Sequence, residues 1–115
     1  MQSIPFATDD VHGGFSEGRG AVRVEDDEII LEVQVKLLGM IDRGVQTFRF
    51  DLTDLESVEH SRNMVRDCVT LRTRPMDIIT RVPGSSEGRL RLKFKRRYRR
   101  AVDALIDKLD LWLIQ

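Results

Sequence analysis

Arg89-Leu90-Arg91-Leu92-Lys93-Phe94-Lys95 runs directly into Arg96-Arg97-Tyr98-Arg99-Arg100-Ala101 and on to Leu113. The first seven residues alternate charged and apolar, the period of a strand with one buried face. Beyond them Tyr98, Val102, Leu105, Leu109 and Trp112 recur at steps of four and three, which places them on one face of a helix. Ala101, Ile106 and Leu113 widen that stripe. A helix so apolar on one side must be buried against another apolar body. Everything upstream reads as short strands, so the junction predicts a mostly β domain closed by one C-terminal helix.

Working back from the junction, Pro83-Gly84-Ser85-Ser86 is a loop signal, and Pro75 sets the start of a sixth strand over residues 76–82. A fifth strand covers residues 66–73, with Val69 and Leu71 inward. The fourth covers residues 55–60. Its apolar spacing, Leu55 then Val58, is three rather than two, which predicts a bulge or a helical turn at its start. Asp51-Leu52-Thr53-Asp54 is a turn, because Asp and Thr side chains bond nearby backbone amides. Residues 45–51, 28–36 and 19–25 form the third, second and first strands, and residues 37–44 a loop. Residues 1–18 show no sustained period and read as an irregular arm anchored by Phe6 and Phe15. The expectation is a single domain over residues 19–115, a seven-stranded antiparallel barrel or two near-orthogonal sheets, capped by a helix over about residues 96–113.

A chain of 115 residues fits one domain and can bury a core without disulfides or metal. Its hydrophobic fraction of 41% argues against a disordered composition. Cys68 is the only cysteine, so no intrachain disulfide forms and a reducing cytoplasm is the default. No apolar run approaches the roughly 18 residues of a membrane span. The first ten residues carry no Lys or Arg, against the pattern of a secretory signal.

The zero net charge hides a polarity. Residues 1–60 hold 5 Lys/Arg and 13 Asp/Glu, a balance of −8; residues 61–115 hold 14 and 6, a balance of +8. Either strands of the two halves interleave and the charges mix, or the molecule carries two surfaces of opposite sign. The positive charge peaks at Arg89, Arg91, Lys93, Lys95, Arg96, Arg97, Arg99 and Arg100, with no acid among them. At a helix start such charges oppose the dipole, at a cost of at most about 1 kcal/mol each. Pairs of Arg99 and Arg100 with Asp103 offer local relief. Otherwise the cluster awaits an anionic partner. Nucleic acid is disfavoured, because Tyr98 is the one aromatic available for stacking and the helix stripe claims it.

Two apolar tips stand out, Leu37, Leu38 and Met40 in one loop and Met64 and Val65 in another. They are candidates for a protein contact, or for folding back on the body. Cys68 reads as a quiet structural thiol. His12 and His60 lack the companions of a metal site, and Asp51, Asp54 and Glu56 are explained by a turn. No metal, cofactor or catalytic set is expected.

Thr47-Phe48-Arg49-Phe50-Asp51-Leu52-Thr53-Asp54-Leu55-Glu56-Ser57-Val58, Val69-Thr70-Leu71-Arg72-Thr73, Val82-Pro83-Gly84, Leu90-Arg91-Leu92 and the Arg-rich helix start resemble, in that order, small bacterial proteins of pleckstrin-homology (PH) type. The resemblance covers residues 19–113 and implies a seven-stranded fold with a terminal helix. The inositol-phosphate site that it would imply lies at the first hairpin. The turn assigned there, Glu25-Asp26-Asp27-Glu28, is four consecutive acids and repels phosphate. The sequence therefore points to a non-catalytic, cytoplasmic interaction module. Protein–protein binding or homo-oligomer contact comes first, and peripheral binding of an anionic membrane or polyanion through residues 89–100 is the alternative.

Overall fold

The computed structural model describes residues 2–11, 16–37, 40–41 and 44–114. Among them lie strands β1 (Ile4–Val11), β2 (Ser16–Glu25), β3 (Glu28–Leu37), β4 (Met40–Ile41), β5 (Gln46–Asp51), β6 (Leu55–Arg62), β7 (Arg66–Thr73) and β8 (Arg89–Lys95), with helices α1 (Met76–Thr80) and α2 (Arg99–Ile114). The strands form one sheet in the order β4-β3-β2-β1-β8-β7-β6, with β5 also on β3. Every ladder is antiparallel. Among the described residues the sheet does not close: β6 ends one side, and β4 and β5 end the other. The expected mostly β architecture with one C-terminal helix is present, as a single sheet that these ladders leave open. Its gap between β5 and β6 is spanned by a 3-10 turn, Leu52–Asp54, against which α2 packs.

The core is built by alternation. Leu90, Leu92 and Phe94 of β8 are at most 1% exposed, while Arg89, Arg91 and Lys95 between them face solvent. Val22, Ile29, Leu31, Val69 and Leu71 join them from the neighbouring strands. Val102, Leu105 and Leu109 of α2 close the core at steps of three and four, and each such burial contributes about 2 kcal/mol.

Two sequence expectations are corrected. The arm over residues 1–18 contains β1, in the middle of the sheet between β2 and β8. Ile4, Phe6 and Thr8 are buried in alternation, and Phe6 meets the Phe94 ring edge-on at 6.4 Å. The register shifts between Ala7 and Asp10 and breaks the period, so the pattern is too short to read as a strand. Phe15, the other expected anchor, lies outside the described residues. The sixth strand over residues 76–82 is instead the short helix α1. Adjacent Ile78 and Ile79 mimic a strand, but the buried pair is Ile79 and Val82, three apart. Pro75, which has no N–H to lose, stands at the N-cap. The irregularity expected near Leu55 is present, as the 3-10 turn and as a register shift between Leu55 and Ser57.

Candidate functional site

The β6–β7 hairpin turns through Asn63, whose side-chain Oδ1 accepts from the amides of Val65 (2.8 Å) and Arg66 (2.9 Å). This is the local bond that makes Asn favourable in turns. It lifts Met64 and Val65 into solvent, 81% and 73% exposed.

Behind the tip lies Asp67, whose side chain is fully buried. It shares the core-facing phase of Val69 and Leu71 and sits opposite Phe94. Arg62 donates to it from Nε and Nη2 (2.9 and 2.7 Å to Oδ2). His60 Nε2 lies 3.1 Å from Oδ2, and Arg99 Nε donates to Oδ1 at 2.9 Å. Burial pushes the carboxyl up, but the bonds from Arg62, His60 and Arg99 outweigh it and hold Asp67 at about 2, below its ordinary 3.8. Arg62 reaches on to Asp103 Oδ1 (2.5 Å) and Arg99 to the Asn63 carbonyl (2.6 Å). The bonds to Asp67 and Asp103 raise Arg62 above its usual range. The network therefore ties the hairpin to the first turns of α2. The expected pairs of Arg99 and Arg100 with Asp103 are replaced by Arg99–Asp67 and Arg62–Asp103.

Arg99 is thus a structural cation, and the remaining basic residues are placed otherwise. Arg96 Nη1 approaches the Met64 carbonyl at 3.4 Å, Arg97 lies over the Tyr98 ring at 5.0 Å, and Arg100 is exposed. On the outer face of β7 and β8, Arg66 sits directly opposite Lys95 and Arg72 opposite Arg89. Like charges in that position destabilise a sheet by roughly 0.2–1 kcal/mol per pair. Arg91 Nη2 comes within 3.5 Å of Cys68 Sγ, and Cys68 is a buried free thiol. Arg66, Lys95 and Arg96 consequently form a basic collar beside the exposed Met64–Val65 tip, and the exposed Arg97 and Arg100 follow in the same basic run.

The structure brings this apolar tip and the basic run together, two features that the sequence separates by some thirty residues. Of the other apolar tip, Leu38 lies outside the described residues, as do the side chains of Leu37 and Met40, and of Trp112 in the helix. Asp67, Arg62 and Arg66 were missed from sequence. Asp67 was legible in principle, since it shares parity with Val69 and Leu71.

The acids collect at the opposite end. Glu28 pairs with Asp51 in register, and the Leu52 amide donates to the Asp27 carbonyl at 2.8 Å, so turns 25–28 and 51–54 adjoin. The acid turn at residues 25–28 joins β2 to β3, so it is the second hairpin and not the first. The β1–β2 connection, residues 12–15, lies outside the described residues. Apart from residues 55–60 of β6, the two charged halves do not interleave. Strands β1 to β5 lie together, β6 to β8 lie together, and the two groups meet at the β1–β8 seam.

Among the described residues no group of three His, Cys, Asp or Glu side chains is placed to hold a metal, and no helix is long and apolar enough to cross a membrane. Comparison with protein-family models finds no match, and comparisons with curated proteins and with solved structures find none either.

Proposed function

We propose that the chain is a non-catalytic module of PH-like architecture that docks on an anionic membrane surface at the cytoplasmic side. The architectural reading rests on strand order: β1, β2, β3 and β5, then β6, β7 and β8, then the terminal helix, with β8 returning beside β1. The docking reading rests on one observation, the exposed Met64–Val65 tip beside a collar of Arg66, Lys95 and Arg96, with the exposed Arg97 and Arg100 next in the same run. An apolar tip enters the acyl boundary while cations meet anionic headgroups. The magnitudes suffice. Five cations near such a surface contribute about 1 kcal/mol each. Two partly inserted apolar side chains add roughly 3 kcal/mol. Together they reach the scale of micromolar binding. The free, buried Cys68 suits a reducing compartment.

Co-sedimentation with phosphatidylcholine vesicles containing phosphatidylserine, at about 0.05 and 0.3 M salt, tests this reading. Binding is expected at low salt, weakening steeply at high salt. It should be lost in Arg96→Glu/Arg97→Glu/Arg100→Glu, with Arg99 kept because it holds Asp67. Equal binding by that variant overturns the reading.

A second reading, self-association, is favoured by the separation of charge. The basic collar and the acid turns lie at opposite ends of β6, so copies can meet head to tail. Sedimentation velocity without vesicles tests it: a mass that rises with concentration supports it, and a constant monomer excludes it.

A further inference from the structure

Strand β5 pairs with β3 along one edge, and among the described residues no strand takes the other. A strand paired on one side directs the N–H and C=O of alternate residues outward. Beside this edge lies a cavity of about 350 Å³, lined by every residue of β5 from Thr47 to Asp51, and also by Ile78 of α1, Arg81, Glu28 and Asp54. Successive residues point to opposite faces of a strand. A cavity that all five line therefore runs along the edge and not over either face. Edges are usually blunted by a bulge, a proline, a lysine or a covering helix. The β6 edge has a register shift between Leu55 and Ser57, and α2 packs against that strand. Strand β5, Gln46-Thr47-Phe48-Arg49-Phe50-Asp51, has neither Pro nor Lys, and its register on β3 is unbroken from Asp51 to Gln46.

We propose that this edge binds an extended peptide as an added antiparallel strand, with a basic residue opposite Asp51, an acidic one opposite Arg49 and apolar residues opposite Phe48 and Phe50. Read from its N-terminus, the peptide is basic, apolar, acidic, apolar. The chemistry follows from the strand. Asp51 stands directly opposite Glu28 on β3, a like-charge pair that destabilises the sheet, and a cation on the other side of Asp51 relieves it. Arg49 is held loosely, 3.9 Å from Glu28 with its side chain half exposed, and an anion opposite it gives a second cross-strand pair. Phe48 and Ile78 are only partly buried against the core, and an apolar residue between them extends that cover. The ladder supplies affinity and the alternate side chains supply specificity, as in other strand additions. Antiparallel order is that of every ladder in the sheet. A second copy meets these demands less well. The register that pairs Arg49 with Asp51 of the copy centres on Phe50 and runs at once into the 3-10 turn Leu52–Asp54. Centred on Phe48, the full overlap sets Asp51 opposite Val45 and supplies no cation. The edge lies with the acid turns, away from the Met64–Val65 tip, and stands apart from the docking reading.

The test is titration of the full chain with the blocked peptide acetyl-Ser-Lys-Val-Glu-Val-Ser-amide, followed by amide shifts and calorimetry. One saturable site of about millimolar or tighter affinity is expected, with shifts at Thr47 to Asp51 and at Ile78. Exchanging Lys and Glu in the peptide should weaken it roughly tenfold. Arg49→Glu/Asp51→Lys should reverse that preference, and it keeps the fold because the change at residue 51 sets a cation opposite Glu28. N-methylation of one alternate set of peptide amides should abolish binding, and of the other set should leave it, since only one set faces β5. Met64→Glu/Val65→Glu should leave peptide binding unchanged, so this site and the docking tip fail separately. No shift in β5 at about 5 mM peptide, equal affinity for both peptides, or equal effects of the two N-methylations overturns the proposal. A peptide-free dimer that Arg49→Glu/Asp51→Lys abolishes assigns the edge to a second copy and overturns it as well.

Discussion

Asp67 is the residue on which the tip end of the molecule depends. Its carboxylate is buried under three donors from two elements, and removing it takes the ion-pair partner from Arg99 and leaves Arg62 with Asp103 alone. Both arginines are partly exposed, so the loss should cost about 1–3 kcal/mol. Asp67→Asn is expected to lower the denaturant midpoint accordingly, with an unchanged slope. The same group sets an acid limit. Its folded pKa is depressed, so the stabilisation is present above the unfolded value of 3.8 and is lost as pH falls from there through about 2. The loss should be of order 2 kcal/mol. Denaturant titrations at several acidic pH values should show this slope in the wild type and a flatter one in Asp67→Asn. Backbone approach at Gly20 is equally unforgiving. A Cβ there would lie 1.9 Å from the Glu32 carbonyl oxygen, an atom of the adjacent strand that cannot step aside. Gly20→Ala should therefore destabilise by about 2 kcal/mol or more by thermal melting.

At the scale of elements, β7 and β8 hold cations opposite one another at Arg66–Lys95 and Arg72–Arg89. A purely structural role for these residues and a binding role predict opposite things for one substitution. Arg66→Glu turns a like-charge pair into an opposite-charge pair and should stabilise the sheet by about 0.5 kcal/mol. It should weaken vesicle binding severalfold in the same preparation, as melting and co-sedimentation together will show. The hairpin tip behaves likewise. Met64→Glu/Val65→Glu changes exposed side chains, so stability should move by less than about 0.5 kcal/mol while docking is lost. Strand β8 and the terminal helix were legible because their periods of two and about 3.6 are sustained. Helix α1 was not, because five residues give no room for a period and two adjacent isoleucines favour the strand reading. Strand β1 was hidden by its register shift and by Pro5.

Across the whole molecule, the acid turns and the basic collar are separated by the length of β6, roughly 25 Å at strand rise. That is several Debye lengths at physiological salt, which is about 8 Å. Asp26→Asn/Asp27→Asn should therefore leave vesicle binding unchanged at that salt. Head-to-tail association would be weakened by the same change, so sedimentation velocity on this one variant distinguishes the two modes of assembly. Asn tolerates the left-handed backbone at residue 26, where φ is 52°, so the fold should survive.

The sequence alone determined a mostly β chain ending in one helix, the inward residues of its longer strands, the alternation that turns the β8 cations outward and the sign of charge in each half. These follow from local period and composition, which act between residues a few positions apart. Tertiary structure decided the rest: that β1 enters the sheet, that the sheet stays open, that Arg99 neutralises a buried Asp67 while Arg66, Lys95 and Arg96 form the collar, and that Met64 and Val65 rise beside it. Each depends on register between strands distant in the chain. A shift of one residue there would turn every side chain to the other face, and nothing local in the sequence records it.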